Sequence, residues 1–211
     1  MGAALLMPAL KATAAGAAPP VLLVVGDSLS AEYGLPRNSG WVKLLETRLS
    51  AGKVQSQYSV VNASISGDTS SGGRTRLPAL LREHHPAIVI IELGANDGLR
   101  GLDPAAMQEN LQAMILACRA QGARVLLVGI HVPPNYGPAY GERFYAVFPV
   151  LAQKLQVPLV PFLLEGFADQ LDWFQADHIH PLPRAQQRIL ENVWTPLEPL
   201  LHTRTENIRQ K

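Results

Sequence analysis

The sequence predicts an α/β domain of three layers (α/β/α), with a parallel sheet of five strands between two sets of helices. Three observations carry this. Short apolar runs rich in β-branched residues recur along the chain without polar alternation, the pattern of strands buried on both faces. Stretches with helical spacing separate them, and strand–helix alternation over a whole chain implies parallel strands joined by crossover helices. The first three runs each end in a short, polar, glycine-bearing segment, where open parallel sheets place their sites.

Taken in order, residues 21–25 (VLLVV) form the first strand, closed by Gly26. Residues 41–49 space Trp41, Leu44, Leu45 and Leu49 helically, and 58–61 form a second strand. Residues 69–82 put Leu77, Leu80 and Leu81 on one side of a helix whose course Pro78 disturbs. Residues 88–93 (IVIIEL) are a third buried strand, followed by Gly94. A helix over 104–121 takes Asp103 as N-cap, Pro104 at its first position and Gly122 as C-cap. Residues 125–130 (VLLVGI) are the fourth strand, and 140–155 a helix broken or kinked near Pro149. Leu159-Val160 is a short fifth strand, and 184–201 a terminal helix whose end Pro196 and Pro199 disturb. With no repeat or linker, one domain is expected over 19–203, followed by a polar tail, 204–211.

Bulk properties narrow the function. The 211 residues suffice for one full core. Eighteen Lys+Arg against 17 Asp+Glu leave a net charge of +1, which gives no electrostatic basis for binding nucleic acid. The single cysteine, Cys118, excludes an intrachain disulfide, and its mid-helix place suits a buried structural thiol. No apolar run approaches the roughly 18 residues that span a bilayer. His84, His85, His131 and His202 lack metal-ligand spacing. The expectation is therefore a monomer without metal or cofactor that meets a small substrate and does not insert stably into a membrane. Residues 1–18 are apolar, then rich in Ala and Gly, and Ala12-Thr13-Ala14 and Ala15-Gly16-Ala17 read as small-x-small cleavage sites. They resemble the back half of a secretory signal peptide without its basic start. A periplasmic or secreted location follows; the alternative is a disordered extension on a cytoplasmic protein.

The strand ends carry the chemistry. Ser28, in Gly26-Asp27-Ser28-Leu29-Ser30, directly follows a buried strand. A serine hydroxyl needs a base, and the base an orienting acid. Asp177 and His180 are three apart in Asp177-His178-Ile179-His180-Pro181, so one turn presents both. His178 is the rival base, but its spacing to Asp177 makes pairing within a turn awkward. Backbone N–H groups of Ser28 and Gly67 and the side-chain amide of Asn96 are donors for a developing oxyanion. Taken singly, each has a plainer reading: Ser28 as a cap, Asn96-Asp97-Gly98 as a turn, Gly67 as a permissive loop residue and His180 as a surface histidine. Asp27 is read as holding its turn, Asp97 as fixing its loop, and Glu92 as a buried, hydrogen-bonded carboxyl.

Four blocks, Gly26-Asp27-Ser28-Leu29-Ser30, Gly67 within NASISGDT (62–69), Gly94-Ala95-Asn96-Asp97 and 177–180, match in order the signature blocks of the SGNH (GDSL) hydrolases. The chain resembles in particular the bacterial periplasmic branch that includes acyl-CoA thioesterase I/lysophospholipase and arylesterases. Further similar segments are VVNASISGDTS (60–70), RLPALL (76–81), ELGANDGLRG (92–101) and VPLVPF (157–162). Ala95 stands where relatives often have a second glycine. The resemblance implies a flavodoxin-like SGNH fold and a serine esterase/thioesterase acting on acyl esters, acyl-CoA thioesters and lysophospholipids. It implies Ser28 as nucleophile, His180 as general base and acid, Asp177 as orienting acid, and Ser28, Gly67 and Asn96 as the oxyanion hole. Two loops could shape an acyl site: 98–102, with Leu99 and Arg100, and 133–144 (PPNYGPAYGERF), with Tyr136 and Tyr140. The resemblance implies that the second borders the acyl groove and moves when substrate binds; the plain alternative is a surface loop. The rival functions are a carbohydrate O-acetylesterase of the same superfamily and a non-enzymatic flavodoxin-like binding module. No Gly-x-Ser-x-Gly supports an α/β-hydrolase.

Overall fold

Val21–Gly26 (β1), Ser59–Asn62 (β2), Ile88–Glu92 (β3), Arg124–Val128 (β4) and Leu159–Val160 (β5) form one all-parallel sheet, in a computed structural model that describes residues 18–51 and 58–202. The spatial order is β2-β1-β3-β4-β5. Leu23 pairs with Val61 on one side and Val89 on the other. β3 is buried throughout, and β1 from its second residue onward, which is why their sequences run apolar without alternation. From β1 the chain moves out to β2 and then returns to β3 on the other flank. The order therefore reverses between β1 and β3, and the crevice beyond their carboxyl ends is the site such sheets provide.

Two helical layers cover the sheet. Trp41–Ala51 (α1) packs on Gln186–His202 (α6) on one face. On the other face lie Ser70–His84 (α2), Pro104–Ala120 (α4) and Pro138–Leu155 (α5), while Ala95–Leu99 (α3) is a single short turn of helix. Local signals set the helix starts. Thr69 accepts from Gly72 N at 3.3 Å, and Asp103 accepts from Ala105 N at 3.1 Å ahead of Pro104. Gly73 lets α2 sit close on the sheet, since a Cβ there would fall 2.2 Å from Leu93 Cδ1. Trp41 is fully buried and donates its indole N–H to Leu29 O at 3.2 Å.

The three-layer fold is the expected one; several details differ. α5 runs through Pro149, and α6 through Pro196 and Pro199. Burial of Phe144, Val147, Phe148 and Leu151 along α5, and of Ile189, Leu190, Val193, Leu197 and Leu201 along α6, offsets the lost backbone bonds. α6 begins at Gln186, after a 3-10 turn over Pro183–Ala185. β4 ends at Val128, short of the expected Ile130, with Gly129 N–H on Val160 O at 2.8 Å and Gly129 O accepting Leu163 N at 2.9 Å. Asn96-Asp97-Gly98, read as a turn, lies in α3. The expected N-terminal extension, apart from Ala18, and the tail 204–211 lie outside the described residues. Among the described residues, no helix is long and apolar enough to cross a membrane.

Candidate active site

β1 delivers Gly26-Asp27-Ser28 into the crevice. The Asp27 carboxylate accepts Leu29 N at 3.0 Å, and its carbonyl accepts Ala31 N at 2.9 Å, which closes the turn around Ser28. Gly26 is required by space: a Cβ would lie 2.7 Å from Glu92 Oε2 and 2.8 Å from Ser30 Oγ. Arg76 of α2 clamps the neighbouring strand ends. Its guanidinium donates to Gly26 O at 3.3 Å, to Ala63 O, and to Asp68 at 2.7 Å.

The late loop brings Asp177 and His180 to that turn. An antiparallel bridge joins Phe174 to Pro181, and Gln175 N donates to His180 O at 2.8 Å. Asp177 Oδ1 accepts Ile179 N at 2.9 Å and His180 N at 3.0 Å. Asp177 Oδ2 lies 2.7 Å from His180 Nδ1, and His180 Nε2 lies 2.9 Å from Ser28 Oγ. Partial burial alone would raise the Asp177 carboxyl, but the hydrogen bonds from His180 and Ile179 outweigh it and lower it to about 2. His180 Nδ1 therefore faces a carboxylate and carries the proton, which leaves Nε2 as acceptor for the serine hydroxyl. His178 sits at φ 56° with its side chain exposed.

The third strand end supplies an amide. Asn96 Nδ2 donates to Asp27 Oδ2 at 3.0 Å, and one N–H of the amide remains. Asp27 is itself buried, and desolvation raises its pKa to about 7 despite the bonds from Leu29 and Asn96. Beneath it Glu92 accepts Ser30 Oγ at 2.6 Å and Asp27 N at 3.3 Å; burial first, and the Asp27 charge second, push its carboxyl well above the usual range. Asp97 accepts Ser70 N at 2.8 Å and Ser70 Oγ at 2.6 Å, which ties α3 to the start of α2. Gly67 has φ +81°, a conformation glycine adopts without strain, and a Cβ there would meet only Arg100 Nη2, at 3.9 Å.

Leu99, Arg100, Tyr136 and Tyr140 form a tied rim. Tyr136 donates its hydroxyl to Leu99 O at 2.7 Å, Tyr140 to Leu102 O at 2.8 Å, and Arg100 donates to Gly67 O at 2.9 Å. Both tyrosine hydroxyls thus hold the 99–102 backbone. Sequence reasoning missed Arg76, Gln175 and Tyr33. The Tyr33 ring lies 4.3 Å from that of His180. The one sequence signal for it was proximity to Ser28. Cys118 is fully buried, and burial pushes its thiol up to about 12. Among the described residues, no three His, Cys, Asp or Glu side chains gather as a metal site.

Residues 24–188 match the GDSL-like lipase/acylhydrolase family. The chain belongs to this family. Esterase TesA of Pseudomonas aeruginosa is 57% identical to this acylhydrolase over 185 residues, 88% of this chain and 91% of the relative. The Escherichia coli K12 thioesterase 1/protease 1/lysophospholipase L1 is 45% identical over 186 residues, 88% and 87% of the two chains. A crystal structure of the psychrotrophic esterase EstA from Pseudoalteromonas, inhibited by monoethylphosphonate, superposes with a TM-score of 0.81 at 41% identity, over 87% of this chain and 99% of that one. This acylhydrolase is thus a serine esterase/thioesterase with the SGNH three-layer fold.

Proposed function

We propose that Ser28 attacks the acyl carbonyl of an ester or thioester, with His180 as its base and Asp177 as the acid that orients the imidazole. The continuous chain from Asp177 Oδ2 to His180 Nδ1 at 2.7 Å, and from Nε2 to Ser28 Oγ at 2.9 Å, carries the reading. His180 Nε2 takes the serine proton as the Oγ–C bond forms, and Asp177 stabilises the resulting imidazolium. The oxyanion is received by Ser28 N–H, Gly67 N–H and the free N–H of Asn96. Collapse expels the alcohol or thiol, which takes the proton from His180 and leaves an acyl-serine. Water, deprotonated by His180, then cleaves that ester and restores Ser28.

The names of the relatives, esterase and thioesterase/lysophospholipase, support acyl esters, acyl-CoA thioesters and lysophospholipids as the substrate range. Leu99, Arg100, Tyr136 and Tyr140 border the acyl side, and the enzyme acts as a monomer. The small-x-small motifs near residues 12–17 support export to the periplasm or medium. A fluorophosphonate probe with peptide mass mapping tests the core of this reading. The adduct is expected on Ser28 alone, and Ser28→Ala is expected to fold without measurable esterase activity. An adduct elsewhere, or activity in folded Ser28→Ala, moves the nucleophile. Rates on p-nitrophenyl acetate, p-nitrophenyl octanoate, palmitoyl-CoA and an acetylated sugar separate acyl-ester chemistry from sugar deacetylation.

A further inference from the structure

Tyr33 is the one exposed tyrosine, tryptophan or phenylalanine among the described residues, at 49% of its free area. Its ring packs on the His180 imidazole, with centroids 4.3 Å apart and planes at 40°. The backbone holds it there from both sides. Tyr33 N donates to Ser28 O at 3.4 Å, and Tyr33 O accepts Gln175 Nε2 at 2.9 Å. Gln175 in turn donates its N–H to His180 O at 2.8 Å. Gly34 beside it has φ +67°, and a Cβ there would fall 2.1 Å from Gln175 Oε1. The ring is thus anchored between the Ser28 turn and the loop that carries His180, with about half of its surface exposed.

If Ser28 and His180 act as described, His180 Nε2 hands its proton to the departing oxygen. That atom must come within hydrogen-bond reach of Nε2, away from the oxyanion donors on Gly67 and Asn96. The group attached to it then passes beside the ring that lies against His180. We propose that Tyr33 forms the leaving-group wall of the site and favours esters whose departing alcohol is a flat aromatic ring. Ring against ring gains more than the buried area alone, whereas an alkyl alcohol receives apolar contact without that increment.

The test pairs two butyrate esters whose alcohols are matched in acidity, one phenolic and one fluorinated alkyl, and measures kcat/KM, which reports acylation. Deacylation of the common butyryl-enzyme is read from the steady phase after the burst. In Tyr33→Leu the aryl-to-alkyl ratio is expected to fall about three- to tenfold, the scale of one aromatic pair, and in Tyr33→Phe it is expected to be kept. Deacylation, in which no leaving group remains, is expected to move far less than acylation by the aryl ester. An unchanged ratio in folded Tyr33→Leu overturns the proposal. So does an equal loss on both esters together with slowed deacylation, which describes a ring that only braces His180. The fluorophosphonate adduct keeps the two readings apart: with Ser28 labelled and the ratio unmoved, only the role of Tyr33 falls.

Discussion

Replacing Asp27 by asparagine should stabilise this enzyme near neutral pH while removing most of its turnover. Asp27 and Glu92 are both buried, and both carboxyls are raised. Groups with raised folded-state pKa values stabilise the fold while protonated, and that stability is lost as pH climbs from the unfolded value through the folded one. For Asp27 the window runs from the usual 3.8 to about 7, a cost of about 4 kcal/mol against the ionised form at about 1.4 kcal/mol per pH unit. Desolvation by burial is the largest cause, with the charges of Asp68 and Asp97 adding to it, and a buried amide still carries some desolvation cost, so Asp27→Asn should gain about 2 to 4 kcal/mol at pH 8 and little at pH 4. The catalytic cost comes from geometry. The amide that Asp27→Asn introduces can still accept Leu29 N through its oxygen, but its NH₂ then faces Asn96 Nδ2, which in the native protein donates to the Asp27 carboxylate. Two donors cannot face each other, so Asn96 turns its amide and points a carbonyl oxygen at the oxyanion position. Losing one donor costs about 10²–10³ in kcat. The assays are urea unfolding at pH 4 and pH 8, and kcat on a p-nitrophenyl ester. A folded variant with kcat within about threefold of wild type would refute the claim that Asp27 holds Asn96. Absence of a stability gain at pH 8 would refute the burial cost.

Further expectations concern single groups. Asn96→Ala should lower kcat about a hundredfold or more and, by removing a hydrogen bond that holds the Asp27 carboxyl down, should raise that carboxyl further and steepen the loss of stability above neutral pH; an unchanged kcat removes Asn96 from the mechanism. Gly26→Ala forces a methyl to within 2.7 Å of Glu92 Oε2 and should cost about 1–3 kcal/mol by denaturant unfolding. No loss there would mean that the space beneath Ser28 is looser than the structure shows. Cys118, with no exposed surface and its thiol at about 12, should resist iodoacetamide in the native protein and react stoichiometrically in urea. Rapid native alkylation would contradict its burial.

The sheet was legible because its central strands are covered on both faces and so announce themselves as apolar runs. α3 was not: ANDGL has little helical propensity, and its turn is held by distant partners, with Asp97 taking both Ser70 N and Ser70 Oγ. The prolines of α5 and α6 argued for breaks because local propensity carries no information about the core those helices cover. Within the site, the Asp177–His180 contact is three residues long and readable from spacing. The Ser28–His180 contact spans 152 positions and could be argued only by assigning strand ends to one crevice. Gln175 and Tyr33, 142 positions apart, have no such guide. A glutamine and a tyrosine in surface loops look like solvated residues until the loops are seen to meet.

The loop that carries Asp177 and His180 also simplifies what the rest of the molecule must supply. Placing an acid and a base independently would require two side chains on separate elements to be held in register by the whole fold. Here two N–H bonds to Asp177 Oδ1 and the bridge from Phe174 to Pro181 make the pair one rigid unit. Only the seating of that unit against the first strand end remains to be specified. A shift of the loop then moves acid and base together, so small motions change the distance to Ser28 while the proton stays on the same ring nitrogen.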